Sequence, residues 1–232
     1  MNQAAVVPTS EARINTFLAR VYLLMFVGLA VTGVVSFWVS ENLRFQFRLW
    51  NSPWIGFGLL ILQVVVVVFL SANVMKMNTG MAAILFLLYS ALVGLSISSI
   101  FILYSDDQIY SVFFITSATF LVTSVVGLLI KKDMSGAGHF LFMLLTGWLL
   151  AWLASWLFGW LFGPLTTVNW ALNYIGIAIF VGLTAWDTQQ LKKLGQQVGN
   201  AAGSGGLVVI GALKLYLDYI NLFLLILRAS NR

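Results

Sequence analysis

Three polar side chains interrupt the apolar segment 211–228, whose sequence is GALKLYLDYINLFLLILR. Lys214, Asp218 and Asn221 are spaced i, i+4 and i+7, so a helix places all three on one face. A charged side chain in hydrocarbon costs about 2.5 to 3.5 kcal/mol on insertion scales, so this face should look toward protein or water. The segment therefore predicts a polar helix face that other polar groups must meet.

Asp187 is the best candidate for such a group. It lies in the apolar segment 172–191, LNYIGIAIFVGLTAWDTQQL, and it is the other acid inside an apolar span. The polar, glycine-rich stretch 192–206 predicts an antiparallel hairpin with a loop centred near Asn200. At about 1.5 Å per residue, Asp187 and Asp218 then lie at depths within roughly one or two turns of each other. We expect the two carboxylates to meet.

The composition defines the broad class. Of the 232 residues, 61% are hydrophobic and only 8% are charged, which indicates a polytopic membrane protein. The chain has no cysteine and one histidine, His139, which excludes disulfides, Cys nucleophiles and a multi-His metal centre within one chain. No basic run exceeds two residues, so we interpret the +5 charge by the positive-inside rule. The expected partner is the lipid bilayer and not nucleic acid.

Apolar stretches of about 20 residues match a hydrocarbon core about 30 Å thick, and in lipid only helices or closed barrels satisfy the backbone. The alternation of a barrel strand is absent, so the fold class is all-α: a seven-transmembrane-helix bundle. We predict a polar N-terminal segment over residues 1–16, with no cleaved targeting sequence, and a single transmembrane domain over 17–232. The predicted spans are 17–40, 54–74, 81–103, 109–130, 139–162, 172–191 and 211–228.

Basic residues predict the orientation. A cytoplasmic N-terminus places seven lysines and arginines of the chain inside and four outside, which favours that arrangement. The last segment presents two alternatives, because a span interrupted by Lys214 and Asp218 either crosses the membrane or re-enters it. Re-entry would return Arg228 to the cytoplasm. We expect the segment to cross.

Three motifs resemble one family. They are FVGLTAWDTQQL at 180–191, LYLDYINLF at 215–223 and the junction KKDMS at 131–135. From about residue 17 onward, the chain resembles the BAX inhibitor-1 family in its bacterial inner-membrane branch. The resemblance implies a seven-helix bundle with a central last helix, and a pH-sensitive calcium leak gated by an aspartate pair. In this chain that pair falls on Asp187 and Asp218.

The chain departs from the family pattern around this pair. In bacterial relatives an arginine near the end of the second helix bridges the two acids, and the corresponding stretch here, 71–76, contains none. A relative's acidic residue earlier in that helix corresponds to Gln63. Lys214 is an addition one turn from Asp218, and we interpret it as a candidate substitute for the missing cation.

The chemistry of the pair follows from elementary electrostatics. Two carboxylates in a poorly solvated site cannot both ionise cheaply, so Asp187 and Asp218 should share a proton and titrate as a coupled unit. The ammonium group of Lys214 opposes this effect because it favours the ionised form. If the shared proton bridges the two helices, raising the pH adds charge, weakens the bridge and opens the hairpin. Acidification closes it.

Calcium takes six to eight oxygen ligands, and this region offers few. Asp187 and Asp218, with Asn221, Thr184 and backbone carbonyls, predict weak and transient binding of a permeant ion and no tightly bound cofactor. Asp106 and Asp107 are predicted to lie in a short loop, where they are a candidate external mouth that attracts cations.

Other interpretations of the same residues stay open. Lys214 and Asp218 can form an intrahelical salt bridge while Asp187 reaches the cytoplasmic interface, and Asn221 is expected to be an interhelical hydrogen-bond donor. A second class is a non-transporting regulator that binds other membrane proteins, such as a quality-control protease. A third is an intramembrane aspartic protease, which the absence of Gly-x-Gly before Asp218 disfavours. We therefore expect no enzyme activity.

Overall fold

A computed structural model of the chain describes residues 10–163, 165–197 and 204–231. The described residues form helices joined by short turns, and they contain no strand. The helices are α1 Ser10–Glu41, α2 Leu43–Trp50, α3 Pro53–Asn73, α4 Thr79–Ile97, α5 Ile100–Leu103, α6 Asp106–Leu129, α7 Ser135–Phe162, α8 Thr166–Gln197 and α9 Ser204–Ser230.

Seven of these helical segments are long and apolar enough to cross a membrane, as the hydropathy pattern predicts. The all-α polytopic fold class is therefore confirmed. The seven spans differ in burial. Most of the last span is buried, whereas α7 is almost wholly exposed. The apolar exposed surface of α7 is the surface that lipid would cover.

The last segment is one unbroken helix despite its two charged residues. α9 has 27 residues, a length of about 40 Å, which is enough to cross the hydrocarbon core. Neither Lys214 nor Asp218 interrupts it. The middle of the predicted loop near Asn200 lies outside the described residues. α8 continues to Gln197 and α9 begins at Ser204, so helix occupies both ends of the stretch expected to be a loop.

Two further segments are helical outside the predicted spans. α1 begins at Ser10, so residues 10–16 of the predicted polar segment are helical. Residues between the first two predicted spans form α2, because LRFQFRLW places apolar and basic side chains on opposite faces. In α2, Gln46 is buried and donates a hydrogen bond to the Ser98 carbonyl at 3.2 Å.

The third predicted span is interrupted. α4 ends at Ile97 and the short α5 begins at Ile100, with a turn at residues 98 and 99 between them. The hydroxyl of Ser98 donates to the Leu95 carbonyl one turn earlier, at 2.7 Å. Serine hydroxyls compete in this way for backbone groups, which favours a break in the helix at this point.

Packing divides the chain into two compact units. The first comprises Met1–Ser99 with Gln190–Lys214, and the second comprises Ile100–Gln189 with Leu215–Arg232. In the first unit α1 packs on α4, where Thr32 donates a hydrogen bond to the Ser90 carbonyl at 2.8 Å. In the second unit an apolar core joins the middle of α8 to the C-terminal half of α9. The expectation of a single domain over 17–232 stays a prediction.

Candidate functional site

The two aspartates of the predicted pair are both buried in the second unit. Asp187 of α8 is 7% exposed and Asp218 of α9 is 5% exposed. Thr184 and Thr188, which precede and follow Asp187 on α8, are fully buried. Burying an ionised carboxylate costs several kcal/mol unless protons, hydrogen bonds or charges compensate it. Two such groups in one compact unit therefore indicate a site where the protonation state of the carboxylates affects the stability of the fold.

The register of α8 and α9 brings the pair to similar depth. Ile179, Phe180 and Leu183 of α8 share a buried core with Leu222 and Leu225 of α9.

A close contact between Gly176 of α8 and Leu225 of α9 defines the register of the two helices. A Cβ atom on Gly176 would lie 2.9 Å from a terminal methyl carbon of Leu225. Asp187 follows Gly176 by eleven residues, and Asp218 precedes Leu225 by seven. Because the helices are antiparallel, both acids lie on the same side of this contact along the helix axes. At about 1.5 Å per residue, Asp187 lies about 16 Å from the contact and Asp218 about 10 Å from it, so the two acids lie about one turn apart in depth. Side chains on a helix point toward its N-terminus, so the carboxylates of Asp187 and Asp218 lie closer in depth than their Cα atoms do.

α6 contacts the acid-bearing segments of both helices. A Cβ atom on Gly127 would lie 2.3 Å from the carbonyl oxygen of Ala185, so the backbones of α6 and α8 touch two residues before Asp187. On the α9 side, the hydroxyls of Tyr219 and Ser117 are 2.8 Å apart. Tyr219 directly follows Asp218, so α6 supports the pair from both helices.

Hydroxyl groups line the buried part of α6. Thr116, Thr123 and Ser124 are all buried, and the hydroxyl of Thr123 donates to the Thr119 carbonyl at 2.6 Å. The hydroxyl oxygens of Thr116 and Ser124 have no hydrogen-bond partner within the described ranges. Buried hydroxyls normally find a partner, often an ordered water. These two groups are therefore oxygen donors available to water or a cation.

Gln189 is a site residue that sequence reasoning missed. Its side chain is buried and accepts a hydrogen bond from the Met134 backbone N–H at 3.0 Å. Its amide donates to the carbonyl oxygens of Ile130 and Lys132 at 3.0 and 2.9 Å. Gln189 therefore attaches the junction between α6 and α7 to α8, two residues after Asp187. The available signal was a glutamine within the same motif as the acid.

The other predicted site residues on α8 and α9 have different surroundings. The Thr184 hydroxyl donates to the Phe180 carbonyl at 2.8 Å, which leaves its oxygen lone pairs available. The Asn221 amide donates to the Leu217 carbonyl of its own helix at 2.8 Å, and its expected interhelical role stays a prediction. A helix carbonyl has a second lone pair, so it can also accept a hydrogen bond from a side chain one turn later. Lys214 is exposed, whereas Asp218 is buried.

The candidate mouth residues lie in a helix and not in a loop. Asp106 and Asp107 form the first turn of α6, and both are exposed. Ser105 caps this helix by accepting a hydrogen bond from the Gln108 backbone N–H at 3.4 Å. Acidic side chains stabilise a helix N-terminus through the helix dipole, which explains their position without an ion. Their role as a cation-attracting mouth stays a prediction.

Gln63 and Lys76 occupy the region where relatives are expected to carry an acid and an arginine. Gln63 of α3 donates to the Leu92 carbonyl at 3.0 Å and also contacts the Ser96 hydroxyl. It therefore joins α3 to α4 within the first unit. Lys76 lies beyond the end of α3, in the turn before α4, and is exposed.

The aspartate pair offers few carboxylate oxygens to a cation. In residues 10–163, 165–197 and 204–231, no group of three or more His, Asp or Glu side chains is placed to hold a metal ion. Asp187 and Asp218 supply two carboxylates, and further ligands would have to come from hydroxyls, carbonyls or water. Calcium sites of high affinity use more carboxylate oxygens than this pair provides.

The fold and the buried acids define a class: a polytopic all-α membrane protein with two carboxylates inside its helices. A sequence model described as "Inhibitor of apoptosis-promoting Bax1" matches residues 14–231. The chain therefore belongs to the Bax inhibitor-1 family, which confirms the resemblance of its motifs.

Relatives from distant bacteria match along nearly the whole chain. "Inner membrane protein YbhL" of Escherichia coli K12 is 42% identical over 220 residues, which cover 94% of this chain and 92% of the relative. An uncharacterized protein of Borreliella burgdorferi is 35% identical over 92% of this chain and 90% of its own length. An uncharacterized membrane protein of Streptococcus pyogenes serotype M1 is 32% identical over 100% of this chain and 99% of its own.

Proposed function

We propose that the protein is a pH-sensitive calcium leak of the bacterial inner membrane, gated by Asp187 and Asp218. The observation that carries this proposal is the burial of both carboxylates, at 7% and 5% exposure, on neighbouring helices about one turn apart in depth. Ionisable residues inside transmembrane helices mark ion and proton pathways by default. Family membership supports the same interpretation.

The proposed gate depends on a shared proton. In the closed form, one proton bridges Asp187 and Asp218 and holds α8 against α9. In the open form, both carboxylates are ionised and repel each other. The closed form thus binds one proton more than the open form, so raising the pH favours the open form and lowering it favours the closed form. Calcium flux should therefore increase with pH.

Oxygen atoms beside the gate provide the proposed conduction path. The unpartnered hydroxyls of Thr116 and Ser124 on α6, and the lone pairs of Thr184 on α8, are neutral ligands that a dehydrating cation can use. Together with two carboxylates they bind calcium weakly, as conduction requires, since an ion held by a complete cage would not leave. No tightly bound cofactor and no catalytic step belong to this proposal.

The proposed orientation has the N-terminus in the cytoplasm. The excess of lysine and arginine on that side supports it, and a relative named as an inner membrane protein supports the choice of membrane. With seven spans, the C-terminal end of α9 then faces outward. Asp106 and Asp107, at the start of α6, would also face outward, where they attract cations.

Calcium flux into proteoliposomes between pH 5 and 8 tests the gate. Native protein should show a flux that rises with pH, and Asp218→Asn or Asp187→Asn should remove this dependence because the shared proton is lost. Asp133→Asn is the matched control, because Asp133 is exposed and accepts from the Ser135 backbone N–H at 3.0 Å, a hydrogen bond that asparagine retains. This control should keep the native pH profile.

Lys214→Ala tests the proposed substitute cation in the same assay. Removing a nearby positive charge disfavours the ionised pair, so the midpoint of the pH dependence should move to higher pH. An unchanged midpoint would exclude Lys214 from the gate. No flux above empty liposomes, from folded protein at any pH, would overturn the leak and favour a regulator that binds other membrane proteins. A pH profile unchanged in both aspartate variants would overturn the gate alone.

A further inference from the structure

A second polar site lies in the second unit, away from the aspartate pair. A cavity of about 650 Å³ forms where α7 ends, α8 begins and α9 ends. The described residues that line it include one cation, Arg228, and no carboxylate. The remaining lining consists mainly of tryptophan, asparagine and small residues. We propose that this cavity binds the headgroup of an anionic phospholipid, with the phosphate held by Arg228.

Arg228 is positioned to receive an anion. Its guanidinium carbon lies 5.1 Å from the ring centroid of Trp152, so the aromatic face holds the cation within the cavity. The residue is exposed and lines the cavity. No acidic side chain in the described part of the chain forms an ion pair with it. A planar guanidinium with free N–H donors matches phosphate oxygens in a bidentate geometry.

Amide groups complete the polar wall. The buried hydroxyl of Ser155 donates to the Asn169 side-chain oxygen at 2.7 Å, which leaves the Asn169 NH₂ group to donate into the cavity. Asn173 follows Asn169 by one helical turn and lines the same cavity. Amides of this kind bind hydroxyl groups, and the face of Trp152, where an ammonium group could bind, already carries the Arg228 guanidinium. The wall therefore favours a phosphate diester with an uncharged, hydroxylated headgroup, such as phosphatidylglycerol.

The surroundings favour a membrane lipid over a soluble phosphate. Trp156 and Trp160 line the cavity while 57% and 76% exposed. They lie near the C-terminal end of α7, and tryptophan is enriched at the ends of membrane spans. Leu153, on the adjoining surface of α7, is 59% exposed and continues an apolar track away from the cavity. Acyl chains would lie along this track while the phosphate stays at Arg228. A soluble anion would leave these side chains in contact with water.

Native mass spectrometry of the full chain tests the proposal. The protein is released from micelles that contain phosphatidylglycerol or phosphatidylethanolamine, and the bound lipid is counted. Native protein should retain one phosphatidylglycerol preferentially, and Arg228→Gln should lower this retention about tenfold or more, because charge-assisted hydrogen bonds to the phosphate are lost. Arg48→Gln, an exposed arginine of α2 in the first unit, is the matched control and should retain lipid as the native protein does.

Three outcomes would overturn the lipid site. The first is equal retention of the two lipids by native protein, and the second is native-like retention of phosphatidylglycerol by Arg228→Gln. The third is displacement of the lipid by glycerol phosphate at equal concentration. That result would assign the cavity to a soluble phosphate ester. Circular dichroism of each variant in micelles checks its fold. If Arg228→Gln is unfolded, Asn173→Leu provides the same test, since it removes a headgroup donor and keeps the cation.

Discussion

Gly127→Ala is the substitution for which the structure predicts the clearest loss of stability. The new Cβ would lie 2.3 Å from the Ala185 carbonyl oxygen and 3.0 Å from the Ala185 Cα. These are backbone atoms of α8, so no side-chain rotation relieves the contact. Reaching an ordinary van der Waals separation requires about 1 Å of displacement between α6 and α8. Overpacking of this kind costs about 1 to 3 kcal/mol.

Gly147→Ala is the matched control. Gly147 lies in α7, and a Cβ atom there would meet nothing within 4 Å. Both substitutions share the helix-propensity gain of alanine over glycine, about 1 kcal/mol, so the difference between the two variants isolates the clash. Unfolding by sodium dodecyl sulfate in mixed micelles, followed by circular dichroism, measures this difference. Equal free energies of unfolding for the two variants would refute the close packing of α6 on α8.

Three further predictions use the same unfolding assay or the flux assay. Gln189→Leu should lower the free energy of unfolding by about 1 to 3 kcal/mol because it removes three hydrogen bonds to the α6–α7 junction, whereas Gln190→Leu should change it little. Tyr219→Phe keeps the ring and removes one hydroxyl contact with Ser117, so about 1 kcal/mol should be lost, and an unchanged value would contradict that contact. Asp218→Asn should give a calcium flux that no longer rises between pH 5 and 8.

The number of spans could be predicted because lipid restricts the backbone. A run of about 20 apolar residues in hydrocarbon must be helical, and seven such runs became seven helical spans. The ends of the helices were less predictable, since hydropathy marks the hydrocarbon region and not the helix. α2 is amphipathic and lies outside the apolar runs, and α8 extends past its apolar segment to Gln197. Asp106 was assigned to a loop, although its position after Ser105 favours a capped helix start.

Some residues of the candidate site could likewise be predicted from the sequence, and others could not. Asp187 and Asp218 could be selected because a carboxylate inside an apolar segment is costly and therefore unusual. Gly127 could not be selected, since glycine is common within transmembrane helices, and the motif around Asp187 singled out Gln189 without showing its role. Their roles depend on which backbone lies opposite, and no local pattern encodes that neighbour. The hydrogen bond of Asn221 to its own helix could not be predicted, because sequence alone does not distinguish a local carbonyl from one on a neighbouring helix.

By itself, the sequence determined the class of protein, the number of spans and the two acids that interrupt them, since each follows from the cost of placing charge or free backbone groups in lipid. Tertiary structure alone decided the burial of both acids, the register that places them about one turn apart in depth, and the contacts of α6 with each helix. It also assembled the cavity at Arg228 from the ends of three helices. Burial and register depend on packing between segments distant in sequence, so they exist only once the chain is folded.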